Sequence, residues 1–309
     1  MSSNEKIVDR IVSDIGDVNL IDKLLSLPKS DLSSLFIEIY RKQSNSITPV
    51  DIVKSFQNNR FTIPSEIDPA IYHNFEADIL TLAQDNGLKA ILLSPAAPFA
   101  GCSSFGYVNQ NNVVSATRAN EILSDPTNVL SIIIASQLKD KSADNKKPLH
   151  YCTTSRVLRA QVFPKQKGYY SHFGIFCIVS SGKDSGSYAC EKSLLMSQLT
   201  YYRKLLINKL DANLSVALRK RHGYADGEGF YEQMADMVKS EFPGVPVSLN
   251  PEYEENNYYK GIHFTIYMEK EHERVEVGDG GFVDWTQQMT GNKKERCLIS
   301  GIGLDRLLI

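Results

Sequence analysis

The first 60 residues carry apolar side chains at helical spacing. They recur three or four positions apart in consecutive groups: Ile7, Ile11 and Ile15, then Leu20, Ile21, Leu24 and Leu25, then Leu32, Leu35, Phe36, Ile39 and Tyr40. This period is typical of short amphipathic helices. Thr48-Pro49-Val50-Asp51 has the composition of a helix start, with a Thr cap, a proline and an acid in the first turn. We therefore predict an N-terminal helical unit over residues 1–65, followed by an extended linker around Pro64 and Pro69.

Beyond Pro69, helical segments alternate with segments of strand character. The helical segments are 70–86, 126–138 and 187–220, and the strand-like segments are 89–93, 149–163, 170–179, 263–268 and 274–277. The polar, glycine-containing loop 164–168 predicts that the two strands beside it pair in antiparallel fashion. The pattern predicts an α+β fold over residues 66–309, an antiparallel sheet flanked by helices, with a helical insertion at about 211–245.

Composition and charge narrow the class of function. Lys and Arg total 34 against 36 Asp and Glu, so the chain lacks the basic excess of a dedicated nucleic-acid binder. The longest apolar runs fall short of the ~20 residues that span a bilayer. The N-terminus shows no signal-peptide pattern, so we expect a cytoplasmic protein without a membrane span. Five scattered cysteines are expected to be reduced core residues, and the histidine spacing does not indicate zinc.

A strand arginine supplies the first candidate chemistry. Arg159 and Gln161 lie two residues apart on the first strand of the predicted hairpin, so they share one sheet face if no bulge intervenes. A guanidinium beside an amide suits a nucleotide, with the guanidinium on a phosphate and the amide at the base edge. The alternative is a surface arginine paired with an acid.

Three glycine-containing segments near the C-terminus are further candidates. They are 258–264 (Tyr-Tyr-Lys-Gly-Ile-His-Phe), 278–284 (Gly-Asp-Gly-Gly-Phe-Val-Asp) and 301–306 (Gly-Ile-Gly-Leu-Asp-Arg). Glycines permit close approach of a ligand, and Arg306 would stack over a base or meet phosphate. Asp279 would bring a carboxylate to a ligand, and the paired tyrosines would line a pocket. Taken singly, each segment is also explained by a hairpin turn, a tight packing turn or core tyrosines.

The order of these segments resembles that of class II aminoacyl-tRNA synthetases. Arg159 with its loop and return strand is similar to the second signature motif of that family, and 301–306 is similar to the third. Segments 258–261 and 279–284 resemble the Tyr-Tyr-Thr-Gly and Gly-Gly-Arg-Tyr-Asp signatures of histidyl-tRNA synthetases, in that order. The chain is therefore similar to the histidyl-tRNA synthetase branch in its catalytic region.

Two upstream segments extend the resemblance to about residues 69–309. Ser94-Pro95 is similar to the first motif, and Asp125 lies in a segment similar to the one whose acid holds the substrate amino group. The resemblance implies a homodimer built through the first motif, and ATP bound with Mg²⁺. It implies formation of an acyl-adenylate from a small carboxylate or amino acid. This reaction needs the substrate carboxylate aligned with the α-phosphate and the developing charge neutralised, and it needs little covalent catalysis by the protein.

The resemblance also implies roles for individual residues. The catalytic residues would be Arg159, at the α-phosphate, and Arg306, over the adenine and at phosphate. ATP would also be bound by Gln161 at the adenine edge and by Lys167 in the loop. The substrate would be bound by Asp125, Tyr258, Tyr259 and Gly281. The protein ligands of the metal ion are left open.

Several positions depart from the histidyl pattern. Glu254 stands where the histidyl enzymes carry an arginine that helps at the reacting phosphate, and an acid there would repel phosphate. Ile175 and Val179 stand at the positions that recognise the histidine side chain, so we expect histidine specificity to be lost. The arginines of the second-motif loop are replaced, although Lys165 and Lys167 keep positive charge there.

Two functions remain open on the sequence. The chain ends directly after the third motif, so we expect no anticodon-binding domain, no ordinary tRNA charging and no tRNA binding. The first function is a free-standing ATP-binding enzyme that activates a small carboxylate or an amino acid less polar than histidine. The second is a catalytically silent protein resembling the regulatory subunit of ATP phosphoribosyltransferase, which would work with a partner enzyme. An RNA-binding module has only the basic run 219–222 in its favour.

Overall fold

Four helices form the N-terminal part of the chain. The structure is a computed structural model that describes residues 3–140, 147–163, 170–253, 258–271 and 273–308. The four helices are α1 (Ser3–Ile15), α2 (Leu20–Leu25), α3 (Lys29–Ser44) and α4 (Pro49–Asn58). Thr48 caps α4 because its hydroxyl accepts from the Asp51 amide while the Asp51 carboxylate accepts from Thr48. The helices predicted from the apolar spacing are confirmed, and no described residue of the four is buried.

An eight-stranded sheet forms the centre of the rest of the molecule. Its strands are β1 (Lys89–Ala90), β4 (Leu149–Leu158), β5 (His172–Lys183), β6 (Asn213–Lys220), β7 (Val247–Asn250), β8 (Lys260–Lys270), β9 (Glu273–Val283) and β10 (Glu295–Gly303). The order across the sheet is β1-β4-β5-β10-β9-β8-β6-β7. Only the outermost pairs, β1 with β4 and β6 with β7, are parallel. The antiparallel sheet expected from the sequence is therefore confirmed.

Helices cover both faces of this sheet. They are α5 (Pro69–Asp85), α6 (Gly101–Ser104), α7 (Pro126–Lys139), α8 (Ala189–Leu210), α9 (Gly227–Glu241), α10 (Trp285–Thr290) and α11 (Leu304–Leu307). A small separate sheet pairs β2 (Ala96–Pro98) with β3 (Asn120–Ile122), and a 3-10 turn spans Gln110–Asn112. The main core joins α5, α8 and α9 to one sheet face, and a second core packs α7 and α10 against the other. None of the helices in the described ranges is long and apolar enough to cross a membrane.

The segment 187–220 is not one helix, as its sequence had suggested. Helix α8 ends at Asp211, which has a left-handed backbone with φ of 50°. Leu214, Val216 and Leu218 then alternate inward along β6, which pairs with β8 and β7. The range 211–245, predicted as a helical insertion, therefore begins with a strand of the central sheet, and only α9 within it is helical.

Two other strand boundaries differ from the prediction and matter for the site. Strand β4 ends at Leu158, so Arg159 and Gln161 lie beyond the sheet instead of sharing a face of it. Arg159 N still donates to Ser171 O over 2.8 Å, but Ala160 N turns away and donates to Asn112 O. The glycines of 301–303 belong to β10, not to a turn, and the four-residue helix α11 follows directly.

A buried polar network connects α8 with the sheet. The Gln198 amide nitrogen donates to Ser180 Oγ over 3.0 Å and to Leu298 O over 3.1 Å. Its amide oxygen accepts from Ser300 Oγ over 2.7 Å, and Tyr202 hydrogen bonds to that same hydroxyl. All five cysteines are free and buried, as predicted.

Candidate functional site

A cavity of about 480 Å³ lies over β5, β9 and β10, beside the N-terminus of α7. Its walls come from segments more than 180 residues apart in the chain. The sequence-predicted residues that line it are Asp125, Arg159, Gln161, Tyr258, Tyr259 and Arg306. The fold therefore brings together residues that had been selected from separate motifs.

Other predicted positions lie outside this cavity. Gly281 does not line it but lies behind Tyr259, because a Cβ there would approach the Tyr259 ring within 2.5 Å. Ile175 lines the cavity, whereas Val179 is buried in the second core beneath α7. Of the two positions expected to form an apolar wall, only Ile175 therefore faces the cavity. Lys167 and Glu254 lie outside the described residues.

Arg159 is held where the hairpin strands separate. Its Nε donates to the backbone oxygen of Ser124 over 3.0 Å. The guanidinium carbon lies 5.2 Å from the centre of the Phe173 ring, close enough for a cation–π contact. Phe173 was not singled out from the sequence, because nothing in a strand pattern distinguishes a cavity-facing phenylalanine from a core one. Arg159 thus presents its charge beside an aromatic surface.

Arg306 is positioned through its neighbour Asp305. The Asp305 carboxylate is buried; one oxygen accepts from Gly174 N over 2.7 Å and the other lies 3.3 Å from Arg156 Nη2. These contacts fasten α11 to β4 and β5, so segment 301–306 is fixed to the β4–β5 hairpin. Arg306 itself lines the cavity, with Nη1 donating to Glu276 O over 3.5 Å.

Asp125 forms the end of the cavity nearest α7. Its Oδ1 caps that helix by accepting from Thr127 N and Thr127 Oγ1 over 3.0 and 2.7 Å. Its Oδ2 accepts from the Tyr258 hydroxyl over 3.0 Å. Burial raises the pKa of Tyr258 well above its ordinary value, with the Asp125 charge adding to the shift. Tyr258 therefore stays protonated and donates to the carboxylate.

A second carboxylate, Asp279, is built into the same wall. Its Oδ2 accepts from Tyr259 Oη over 3.1 Å and contacts His263 Nε2 over 3.0 Å. Arg221 Nη2 lies 3.1 Å from His263 Nδ1, and since a guanidinium only donates, that ring nitrogen accepts. The ring proton is then on Nε2, facing Asp279. Asp279 lines the cavity with 48% of its side chain exposed.

Two of the partners of Asp279 were given no role from the sequence. Asp279 and Tyr259 belong to the candidate segments, but His263 and Arg221 come from β8 and from the segment after β6. Burial raises the pKa of Tyr259 well above its ordinary value, and Asp279 is the next cause. Among the described residues, no group of three or more His, Cys, Asp or Glu side chains is arranged to hold a metal ion.

Comparisons with known proteins show the class II aminoacyl-tRNA synthetase catalytic fold. The S. aureus histidyl-tRNA synthetase superposes over 80% of this chain and 68% of its own, with 14% identity and a TM-score of 0.58. An ATP phosphoribosyltransferase regulatory subunit/histidyl-tRNA synthetase from Bacillus halodurans superposes over 80% of this chain and 81% of its own, with 13% identity and a TM-score of 0.59. The RNA-binding domain of threonyl-tRNA synthetase from Cryptosporidium parvum superposes over 79% of this chain and 67% of its own, with 10% identity and a TM-score of 0.60. No family model matches the chain, and no curated protein matches it in sequence.

Proposed function

We propose that the protein binds ATP in this cavity and activates a small amino acid or related carboxylate as its adenylate. The observation that carries the proposal is the meeting of two arginines, an aromatic ring and an acceptor for an ammonium group around one cavity: Arg159, Arg306, Phe173 and Asp125. Guanidinium groups match phosphate geometry, and an aromatic face suits a base. Similarity of fold supports the same chemistry.

Each end of the cavity has its own part in this proposal. Arg159 would neutralise charge at the α-phosphate, while Arg306 and Phe173 hold the adenine and Gln161 accepts at its edge. Lys167 would add charge from the loop. Mg²⁺ would arrive with the ATP phosphates and neutralise them, since it keeps few protein ligands when phosphates bind it.

The amino-acid end contains two acceptors. Asp125 would bind the substrate ammonium, with Tyr258 fixing the orientation of the carboxylate. Asp279 lies in the same wall as the apolar Ile175 and Ile299, so we propose that the substrate side chain carries an N–H donor on a short apolar stem. This differs from the weakly polar side chain expected from Ile175 and Val179 alone.

Pyrophosphate exchange tests the proposal. The full chain is incubated with ATP, Mg²⁺ and a panel of aliphatic, hydroxylated and amine-bearing amino acids, and incorporation of labelled pyrophosphate into ATP is measured. We expect exchange with one member of the panel and a fall of about 100-fold or more in Arg159→Ala and Arg306→Ala. Arg41→Ala, which removes an exposed arginine paired with Glu38, is the matched control. Activity that survives both cavity changes contradicts the assignment.

A silent, regulatory protein is the second candidate. Among the described residues, four carboxylates line the cavity against two arginines, a balance that suits a cationic ligand better than a triphosphate: Asp125, Glu276, Asp279 and Asp305. Binding of an amino acid in calorimetry, without ATP binding or exchange and with a partner enzyme that co-purifies, would favour this function.

A further inference from the structure

The linker after α4 crosses the loop end of the β4–β5 hairpin, where β4 ends and β5 begins. Arg60 Nη1 donates to Gln161 O over 2.9 Å and to Ser171 Oγ over 2.5 Å. Its Nη2 donates to Ala160 O. The Arg60 guanidinium therefore joins the end of β4 to the beginning of β5, at the point where the two strands separate.

A second contact from the same linker holds the returning strand. Arg156 Nε donates to His172 Nδ1 over 2.9 Å, so the ring proton is on Nε2. That nitrogen donates to Ile63 O over 2.6 Å. The linker residues 60–63 thus contact both strands at this end of the hairpin. Arg60 is half-buried, with its guanidinium carbon 4.2 Å from the centre of the Phe61 ring.

The position of Arg60 relative to the candidate nucleotide site is specific. The last backbone bond between the two strands is Arg159 N to Ser171 O. Beyond it, Arg60 holds the carbonyl groups of Ala160 and Gln161, the two residues that follow Arg159. These peptide groups decide the direction of the Gln161 side chain and the path of the backbone after Arg159. Arg60 lies outside the cavity walls in the part of the chain that the structure describes.

We propose that Arg60 is a positioning residue through which docking of the N-terminal helical unit sets the geometry of the ATP site. This rests on the proposed function. Hydrogen bonds from a charged donor to two carbonyls and a hydroxyl restrict the free motion of both strand ends, so less order must be gained when ATP binds. By thermodynamic linkage, bound ATP must tighten the docking of the linker by the same factor.

Calorimetry and hydrogen exchange on the full chain test the proposal together. We expect Arg60→Ala to raise the dissociation constant of MgATP at least about tenfold. Amide exchange should become faster in residues 158–163 and 170–173 even without nucleotide. Arg60→Lys, which keeps the charge but cannot bridge both strands, should give an intermediate affinity. Arg41→Ala is the control and should change neither quantity.

The effect of bound MgATP on the linker is a second measurement, and it should not change if Arg60 had only a structural role. In the unsubstituted protein, MgATP should slow amide exchange across residues 60–63, and this protection should vanish in Arg60→Ala. Thermal unfolding of each variant shows whether the core is intact.

The outcomes separate this proposal from the function on which it rests. If the unsubstituted protein binds MgATP and Arg60→Ala binds equally well, positioning by Arg60 is wrong while the ATP site stands. Weaker binding with unchanged exchange at the strand ends also overturns it. If the unsubstituted protein does not bind MgATP, the proposed function is wrong, and the positioning role of Arg60 is wrong as well.

Discussion

His263 and His150 lie in different surroundings. His263 accepts from Arg221 and donates to Asp279, which lines the cavity. His150 Nδ1 lies 2.9 Å from Ser180 Oγ in the buried network beneath α8. Burial lowers the pKa of His150 from its ordinary value of 6.5. One histidine therefore donates to a carboxylate of the cavity, whereas burial of the other lowers the stability of the folded protein in acid.

The shift of His150 predicts acid sensitivity. Below pH 6.5 the unfolded chain takes up a proton at this ring while the folded protein does not, so the free energy of unfolding falls as pH falls. His150→Gln should remove that part of the slope, up to about 1.4 kcal/mol per pH unit. Urea unfolding at pH 7, 6 and 5 measures it, with the exposed His73→Gln as control. Equal slopes for His150→Gln and the unsubstituted protein would show that the burial is not retained in solution.

At the scale of elements, glycines let β9 and β10 approach beneath the cavity. A Cβ on Gly278 would overlap the carbonyl oxygen of Gly301. A Cβ on Gly301 would come within 3.2 Å of Cys177 Sγ and of Ile175 Cδ1. At Gly303 the nearest atom would be Arg306 Cδ at 3.8 Å, an ordinary contact. Two of these three glycines therefore serve strand packing, and only Gly303 leaves room for a Cβ without displacing a neighbour.

These differences predict opposite results for two similar substitutions. Gly278→Ala must push β9 from β10 and should lower the free energy of unfolding by about 1–3 kcal/mol. Gly303→Ala should change it by no more than about 0.5 kcal/mol. Chemical denaturation of both variants measures the difference. Similar losses in the two would mean that strand spacing does not depend on Gly278.

At the scale of the whole molecule, large apolar side chains are exposed around the predicted first motif. Leu92 is 96% exposed and Phe99 is 52% exposed, on either side of Ser94-Pro95. Exposed apolar surface of this kind often marks a contact with another protein. The family resemblance places a dimer contact in the same segment, so we propose that a second copy covers it.

Sedimentation velocity tests the dimer. The unsubstituted protein should sediment as a dimer, and Leu92→Glu combined with Phe99→Glu should give a monomer, because two charges would be buried in the contact. Ile207→Glu, at an exposed apolar position on α8, is the control and should stay dimeric. A dimer that persists in the double variant would locate the contact elsewhere.

Local signals in the sequence were enough for much of the fold. The capping residues Thr48 and Asp51, the proline start of α7 and the order of the motifs all identified elements correctly. Helix α5 was also predicted, but its first residue, Pro69, had been assigned to the linker. Strand β6 was missed because its alternation follows the long helix α8 with only two residues between them. That helix ends at Asp211, which has a left-handed backbone, and the sequence has no glycine there to indicate the helix end.

The candidate site was predictable only as a set of separate residues. Motif order selected Asp125, Arg159 and Arg306, which the fold brings to one cavity. The contacts that orient them come from segments without a motif, as Arg60 and His263 show. Such partners depend on where the strands of the sheet end and on which element crosses them. A linear pattern does not carry that information.

The two edges of the central sheet are its shortest strands. β1 has two residues and β7 has four, whereas the six interior strands have between eight and 12. A foreign strand that added to β1 or β7 would find only two or four residues to pair with, so edge pairing through these strands has little to start from. Strand β5, with six consecutive buried residues from Phe176 to Ser181, is shielded from such growth while its neighbours stay in place. Loss of β1 and α5 would uncover β4, and we expect fibrillar association of this chain to begin there.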